Sequence, residues 1–236
     1  MAAVLAAVQL TVFAASSLKE PFLALGQAFE QQHSGIAVSF NFAGSQELRT
    51  QVENGARADV FASADERHIQ ALVVAGLADR PALFATNEPV LVVPRGNPAG
   101  IRGLQDLPRA RRIVVGDPAV PIGAYSVRIL EAAGARYGPG FRSAVEERIA
   151  SRELNVRQVL AKVGLGEADA GIVYRTDALA AGSSVETIPI PPALNATAQY
   201  PIAALRDAPH PDLAAAFVRL VLSSQGRAVL VRHGFR

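Results

Sequence analysis

Two serines follow the first apolar run of the chain, in the stretch "TVFAASSLKEPF" at residues 11–22. A serine hydroxyl at the start of a helix often caps it, and Ser17 with Glu20 matches the S-x-x-E capping box. The same hydroxyl can instead bind an anion, together with backbone N–H groups and the positive end of the helix dipole. At this one position the sequence leaves both roles open, and capping is the commoner of the two.

Potential hydrogen-bond donors recur at the later points where a predicted strand runs into a predicted helix. In chain order these are Ser45 in "FAGSQEL", Ile122 in "VPIGAY", Val156 after the N-cap residue Asn155, and Tyr174 at the end of "AGIVY". No lysine or arginine lies at these turns, so helix N-termini would supply the positive potential. Because ligands of parallel α/β sheets bind outside the carboxyl ends of the strands, the recurrence supports anion binding as well as capping.

Short apolar runs alternate with amphipathic, alanine-rich runs along the chain. The stretch "IAVSFNFA" at residues 36–43 has the period of a strand, whereas residues 18–32 have the period of a helix. This order predicts an α/β fold with parallel strands and right-handed crossovers. We predict two lobes, each a mostly parallel sheet flanked by helices. Lobe 1 is expected to comprise residues 9–86 plus 201–236, and lobe 2 residues 87–200.

The composition excludes several kinds of site. The chain has 236 residues and no cysteine, which excludes disulfides, thiol catalysis and thiolate metal sites. Its four histidines are widely spaced, so a directly coordinated metal cation is not expected. The net charge is +2 and the basic residues are scattered, which argues against a nucleic-acid partner. No run approaches the roughly 18 apolar residues of a membrane helix, and the apolar residues 1–8 are interpreted as the remnant of a signal peptide.

Six segments occur in an order that identifies a family. "TVFAASSL", "FAGSQEL", "ADVFASAD", "VGDPAVPIGAY", "GIVYRTDA" and "YPIA" together resemble the molybdate-binding proteins of bacterial ABC importers, which have a type II periplasmic-binding-protein fold. The similarity extends from about Gln9 to the closing "HGF". It implies that five residues contact the ligand: Ser17, Ser45, Ile122, Val156 and Tyr174. The serines would contribute hydroxyl and backbone N–H groups, Ile122 and Val156 backbone N–H groups, and Tyr174 its phenol.

The resemblance also implies the ligand and the partners. The ligand would be molybdate, and tungstate as well, with no cofactor, no catalysis and no cation coordinated directly. The partner would be the membrane permease of an ABC importer, and the receptor a periplasmic or otherwise extracytoplasmic monomer, with a lipid anchor on the full-length form left open. Elementary chemistry agrees with this, because molybdate is an unprotonated dianion that only accepts hydrogen bonds. Hydrogen phosphate, in contrast, carries a proton that needs an acceptor, and none of the five positions holds Asp or Glu.

Three other interpretations remain open. The strongest is a receptor of the same fold for another anion, such as sulfate, phosphate or a small organic anion. An enzyme is less well supported, since neither Ser17 nor Ser45 lies in a G-x-S-x-G elbow and no phosphate-binding loop is present. The third is the effector-binding part of a transcription regulator, which would need a helix-turn-helix segment before Gln9 or after Phe235.

Several residues near the proposed contacts are expected to play structural roles. We interpret three tyrosines as packing residues, namely Tyr125, Tyr137 and Tyr200. Asp117 and Glu153 are interpreted as turn and helix-end residues that do not contact the ligand. Arg157 and Arg175 could raise the potential of the site, but solvent exposure is the commoner fate of arginine.

Overall fold

The computed structural model describes residues 8–236, so the predicted signal-peptide remnant lies outside the described residues except for Val8. The chain divides into two compact units. One unit ends at Ala85 and resumes over Gln199–Arg236, and the other is Thr86–Ala198. The sequence predicts these crossings after residues 86 and 200, whereas the units divide after residues 85 and 198.

The first unit is a five-stranded sheet covered by helices. Its strands are β1 (Val8–Ala15), β2 (Ile36–Ala43), β3 (Val60–Ala62), β4 (Ala82–Asn87) and β10 (Ala198–Ala204). Its helices are α1 (Lys19–Gln32), α2 (Ser45–Glu53), α3 (Glu66–Val74), α8 (Pro211–Leu222) and α9 (Ser224–Arg232). The strand order is β2-β1-β3-β10-β4, with β1 parallel to β2 and β3, and β10 antiparallel to β3.

The apolar side chains of the first unit form the core that holds these strands. Phe22 and Phe29 of α1 are seven residues apart, so they lie about two turns apart on one face of the helix. Both pack edge-on against Phe217 of α8. A further cluster joins Phe13 and Phe61 of the sheet with residues of α2 and α3, namely Leu48, Ile69 and Leu72. Each helix thus buries its apolar stripe, as the period of its sequence predicts.

The second unit has its own five-stranded sheet. Its strands are β5 (Pro89–Pro94), β6 (Ile113–Gly116), β7 (Ile149–Glu153), β8 (Ala170–Tyr174) and β9 (Val185–Ile188). Its helices are α4 (Pro121–Tyr137), α5 (Phe141–Glu146), α6 (Val156–Gly164) and α7 (Arg175–Ala181). The order is β7-β6-β8-β5-β9, with β6 parallel to β7 and β8, and β5 antiparallel to both β8 and β9.

Both sheets share one topology, although the sequence shows no repeat. In each, a first parallel strand lies between the second and the third, and an antiparallel strand follows the third: β2-β1-β3-β10 and β7-β6-β8-β5. The predicted two-lobed α/β fold is confirmed, with the refinement that each sheet is mixed. Within each sheet, the three parallel strands end at the same edge of that sheet. In the first unit α2 begins after β2 at this edge, and in the second unit α4 and α6 begin after β6 and β7.

Among residues 8–236, no single helix combines the length and apolar composition that a membrane crossing needs. The helices α8 and α9 reach that length and composition only as a pair, and the pair is bent by 61° at its break.

Candidate functional site

Three turns carrying serines leave the carboxyl ends of neighbouring strands in the first unit. The strand ends are in register, since Ala15 of β1 pairs with Ala43 of β2, and Ala14 pairs with Ala62 of β3. We call the hydroxyl-bearing residues that follow these ends the serine turns: Ser16, Ser17, Ser45 and Ser63. All four are buried. The structure therefore places both predicted serines, Ser17 and Ser45, at one edge of the first sheet.

The hydroxyl of Ser17 is not used as a helix cap. A single 3₁₀ turn, Ser16–Leu18, precedes α1, and the N-cap residue of α1 is Leu18, without a side-chain cap among the described residues. The Oγ atom of Ser17 instead lies 3.0 Å from Oη of Tyr200 on β10, and either hydroxyl can donate. The capping-box interpretation of Ser17 with Glu20 is therefore wrong, because the 3₁₀ turn moves the start of the helix past Ser17.

The other serine hydroxyls accept hydrogen bonds from the backbone of the β3–α3 turn. Ser45 is the first residue of α2, and its Oγ accepts from the N–H of Ala64 at 3.1 Å. The Oγ of Ser63 accepts from the N–H of Asp65 at 3.2 Å, and the Ser63 N–H donates to the carbonyl of Pro201. The Ser45 bond joins the turns that follow β2 and β3, and the Ser63 bond lies within the β3–α3 turn. In both bonds the serine oxygen accepts, so the hydroxyl proton of each serine points elsewhere.

In the second unit, the start of α4 packs closely against the end of β6 and the loop that joins them. A Cβ atom at Gly123 would overlap the carbonyl oxygen of Asp117 and lie 2.6 Å from that of Gly116. Only glycine therefore allows this approach. The first turn of α4 has Pro121 at its start and no side-chain cap within the described chain. The backbone N–H of Ile122, the second residue of α4, consequently lies at the carboxyl end of β6 without a capping oxygen.

Val156 is the first residue of α6, as the sequence predicts. Asn155 is the N-cap, and its Oδ1 accepts from the N–H groups of Arg157 at 3.0 Å and Gln158 at 3.1 Å. The cap does not include the N–H of Val156, which points out of the helix start. This prediction of the N-cap is confirmed, and it leaves the Val156 N–H as a donor at the end of β7.

The start of α6 is fixed to the start of α7 by an ion pair. Nε of Arg157 lies 2.7 Å from Oδ1 of Asp177, whose side chain is completely buried, while that of Arg157 is 27% exposed. Arg157 is thus held by a carboxylate, rather than extended into solvent as expected. The guanidinium neutralises the charge of Asp177. The ion pair thereby fixes the first turn of α6, which contains Val156, against the first turn of α7.

We predict that Arg157→Met destabilises the protein by about 2 kcal/mol. The value lies below the 3–5 kcal/mol measured for fully buried pairs because Arg157 keeps some contact with water. Urea unfolding followed by circular dichroism measures the change. Arg142→Met is the control, since Arg142 pairs with Glu131 and Glu146 at an exposed site and should cost below about 1 kcal/mol. Equal costs for the two variants would contradict a structural role for the Arg157–Asp177 pair.

Tyr174 ends β8 at the same edge of the second sheet. Its side chain is buried, and its ring packs edge-on against Tyr125 of α4, with centroids 6.3 Å apart. Its backbone is held through pairing with Pro89, and the next N–H, that of Arg175, donates to the carbonyl of Glu88 at 2.8 Å. The structure therefore brings together Ile122, Val156 and Tyr174 at the carboxyl ends of β6, β7 and β8.

The carboxylates near these turns are engaged by the protein itself. Asp117 accepts from the N–H of Ala119, as a turn residue does. Glu153 ends β7, so its assignment to a helix end was wrong, and it accepts from Lys162 and Ser151 at 2.6 Å each. Burial raises the pKa of Glu153, but the hydrogen bonds from Lys162 and Ser151 lower it more, so the pKa lies below its ordinary value. Residues 8–236 contain no group of three His, Cys, Asp or Glu side chains able to hold a metal ion.

Sequence reasoning missed three residues of this arrangement. Ser63 lies within "ADVFAS" and Tyr200 within "YPIA", so both belong to recognised segments. Nothing local shows that Ser63 lies at the same edge of the sheet as Ser17 and Ser45, or that Tyr200 contacts Ser17. Tyr200 is a packing residue as predicted, with Phe84 and Phe235 against its ring, and its hydroxyl also contacts Ser17. Asp177 in "GIVYRTDA" pairs across 20 positions of sequence, a contact that no periodicity indicates.

A family model and several curated proteins match nearly the whole chain. The model of the family described as bacterial extracellular solute-binding protein matches residues 10–236. The molybdate-binding protein ModA of Mycobacterium tuberculosis is 42% identical over 228 residues, which cover 96% of this chain and 84% of that protein. The recognition of a molybdate-binding-protein relative from six segments is thereby confirmed.

Two solved structures show the same fold. The periplasmic molybdate-binding protein of Azotobacter vinelandii superposes with a TM-score of 0.82 at 22% identity, covering 96% of this chain and 98% of that one. The sulfate-binding protein SubI of Mycobacterium tuberculosis superposes with a TM-score of 0.87 at 23% identity, covering 97% and 86%. At this identity the two structures establish the fold, which serves receptors of different tetrahedral anions.

Proposed function

Because the chain belongs to the bacterial extracellular solute-binding protein family, we propose that it is the molybdate receptor of an ABC importer. It binds molybdate, and also tungstate, between its two lobes and delivers the anion to a membrane permease. No chemistry is performed on the ligand. The receptor acts as a monomer outside the cytoplasm, in the periplasm or an equivalent compartment.

The observation that carries the proposal is that the expected contact residues of both sheets offer hydrogen-bond donors. Ser17 and Ser45 at one edge of the first sheet, and Ile122, Val156 and Tyr174 at the corresponding edge of the second, offer hydroxyl or backbone N–H groups. We infer that both groups hold one anion. Five residues, two of them offering a hydroxyl and an N–H each, would supply about seven hydrogen bonds. At about 1.5–3 kcal/mol for each bond to a charged group, they exceed the roughly 8 kcal/mol of a micromolar complex, before dehydration costs.

The engaged carboxylates support a fully unprotonated ligand. Asp117, Glu153 and Asp177 each accept from, or pair with, groups of the protein. A protonated oxyanion such as hydrogen phosphate would have to bury its O–H among donors, which leaves that O–H without an acceptor. Molybdate and tungstate present four oxygens that only accept, so they match the donors.

Sulfate is the second candidate, because it is also an acceptor-only tetrahedral dianion. The shared fold with SubI does not separate the two anions, since a molybdate-binding protein has it too, whereas the 42% identity to ModA over nearly the whole chain favours molybdate. The Mo–O bonds of molybdate are longer than the S–O bonds of sulfate. In a site sized for molybdate, the oxygens of sulfate would therefore lie too far from some of the donors to accept from all of them. We therefore place molybdate first.

Isothermal titration with molybdate, tungstate, sulfate and phosphate tests the proposal. We expect one molybdate or tungstate per chain with a micromolar or lower Kd, and phosphate at least about 10- to 100-fold weaker, the cost of one unsatisfied buried donor. Sulfate is expected to be weaker than molybdate. Tighter binding of sulfate would identify a sulfate receptor, and absence of any heat with all four anions would contradict oxyanion binding.

A further inference from the structure

The two serines that we propose as ligand contacts share one feature: each hydroxyl oxygen lies within hydrogen-bonding distance of another group of the protein. Ser45 Oγ is 3.1 Å from the N–H of Ala64, and Ser17 Oγ is 3.0 Å from Oη of Tyr200. A backbone N–H can only donate, so Ser45 Oγ is the acceptor in its bond and the Ser45 proton must point elsewhere. The direction of the Ser45 hydroxyl is thus set by the main chain.

The Ser17 hydroxyl has no such main-chain partner in the described chain, and a side chain takes its place. Tyr200 is completely buried, and its ring is packed edge-on between Phe84 and Phe235, with centroid separations of 6.3 and 5.2 Å. These rings fix the position of the Tyr200 oxygen. A phenol, with a pKa near 10, is a stronger hydrogen-bond donor than an alcohol. The favoured direction is therefore from Tyr200 O–H to Ser17 Oγ.

We propose that Tyr200 is a positioning residue that orients the Ser17 hydroxyl toward the ligand and thereby makes the site reject protonated oxyanions. The inference rests on the proposed function. Tyr200 O–H donates to Ser17 Oγ, and Ser17 O–H in turn donates to the anion. In two consecutive hydrogen bonds of this kind, the first polarises the Ser17 hydroxyl and so strengthens the second. If Ser17 donated to Tyr200 instead, it would present a lone pair to the ligand, which repels an anion oxygen but accepts from the O–H of hydrogen phosphate.

The Tyr200→Phe variant tests this role, because it keeps the packed ring and removes only the hydroxyl. The Ser17 hydroxyl is then free to rotate and can either donate or accept. Titration at pH 7.5 is expected to show molybdate binding weakened about 3- to 10-fold, the effect of one lost hydrogen bond. Hydrogen phosphate binding should stay constant or improve, so the molybdate-to-phosphate preference falls by at least the same factor.

Two further variants separate orientation from packing. In a Ser17→Ala background, Tyr200→Phe should leave the molybdate-to-phosphate preference unchanged, because the hydroxyl that Tyr200 orients is gone. Tyr137→Phe is the matched control, since Tyr137 is a partly exposed tyrosine that packs on Phe141, away from the serine turns, and it should change neither affinity. The thermal unfolding midpoint without ligand reports any loss of folding in each variant.

The outcomes distinguish this inference from the proposed function. Equal weakening of molybdate and phosphate by Tyr200→Phe, or an undiminished effect in the Ser17→Ala background, would overturn the orienting role of Tyr200 while leaving molybdate binding intact. A wild-type protein that takes up no molybdate would overturn both. A fall in the preference that depends on Ser17 would establish the hydroxyl pair as part of the selectivity of the site.

Discussion

The Ser17→Ala, Ser45→Ala double variant is expected to bind molybdate about a hundredfold to ten-thousandfold more weakly than the wild-type protein. Each hydroxyl bond to a charged ligand contributes about 1.5–3 kcal/mol, and the upper limit of the range is the sum of two independent losses. Because both serines bind the same anion, their losses are coupled, and the double variant should lose less than that sum. Each single variant should lose about 10- to 150-fold. Isothermal titration, with competition for the weakest variants, measures these values.

A matched pair of serines serves as the control for this loss. Ser143 and Ser183 are exposed residues of the second unit, far in sequence from every serine turn. The Ser143→Ala, Ser183→Ala double variant should therefore bind molybdate as the wild type does. If the loss for Ser17 and Ser45 is no larger than that for the control pair, the serine turns do not bind the anion.

Gly123→Ala is expected to abolish tight molybdate binding and to destabilise the protein by about 3 kcal/mol, the upper end of overpacking costs. The added Cβ would overlap the carbonyl oxygen of Asp117, and Gly116 O is only 2.6 Å away, so the start of α4 must move off the strand end. The N–H of Ile122 would move with it and lose its aim at the ligand. Titration and urea unfolding report the two effects separately.

The same helix supplies the control for this substitution. At Gly134 an added Cβ would meet nothing closer than Cβ of Arg142 at 3.7 Å, which is an ordinary contact. Gly134→Ala should therefore keep full affinity and stabilise the protein by about 0.5–1 kcal/mol, through the better helix propensity of alanine. Unchanged binding in Gly123→Ala would show that the β6–α4 loop does not position a ligand contact.

Local patterns predicted the fold and the helix starts where the signal itself is local. The alternation in residues 36–43 predicted β2, and Asn155 followed by an amphipathic run predicted the start of α6. The order of strands and helices predicted two α/β lobes. These features follow from the period of the apolar residues and from capping chemistry, both of which can be read within one element.

Features that depend on contacts between distant segments could not be predicted in the same way. The bond of Ser17 to Tyr200 spans 183 positions of sequence, and it replaced the local capping box that the S-x-x-E pattern indicated. The Arg157–Asp177 pair and the close approach at Gly123 likewise depend on the packing of elements. The antiparallel strands β5 and β10 beside the parallel ones also arise from tertiary pairing, which strand periodicity does not encode.

The central claim is that neutral donors, held in place by the fold, bind a doubly charged anion without a cation beside it. A crystal structure of the molybdate complex, with the molybdenum located by its anomalous scattering, tests this claim most directly. The account predicts one molybdenum peak whose oxygens lie within hydrogen-bonding distance of the hydroxyls of Ser17, Ser45 and Tyr174 and of the N–H groups of Ile122 and Val156. A peak elsewhere, or a lysine, arginine or carboxylate side chain in direct contact with the anion, would contradict it.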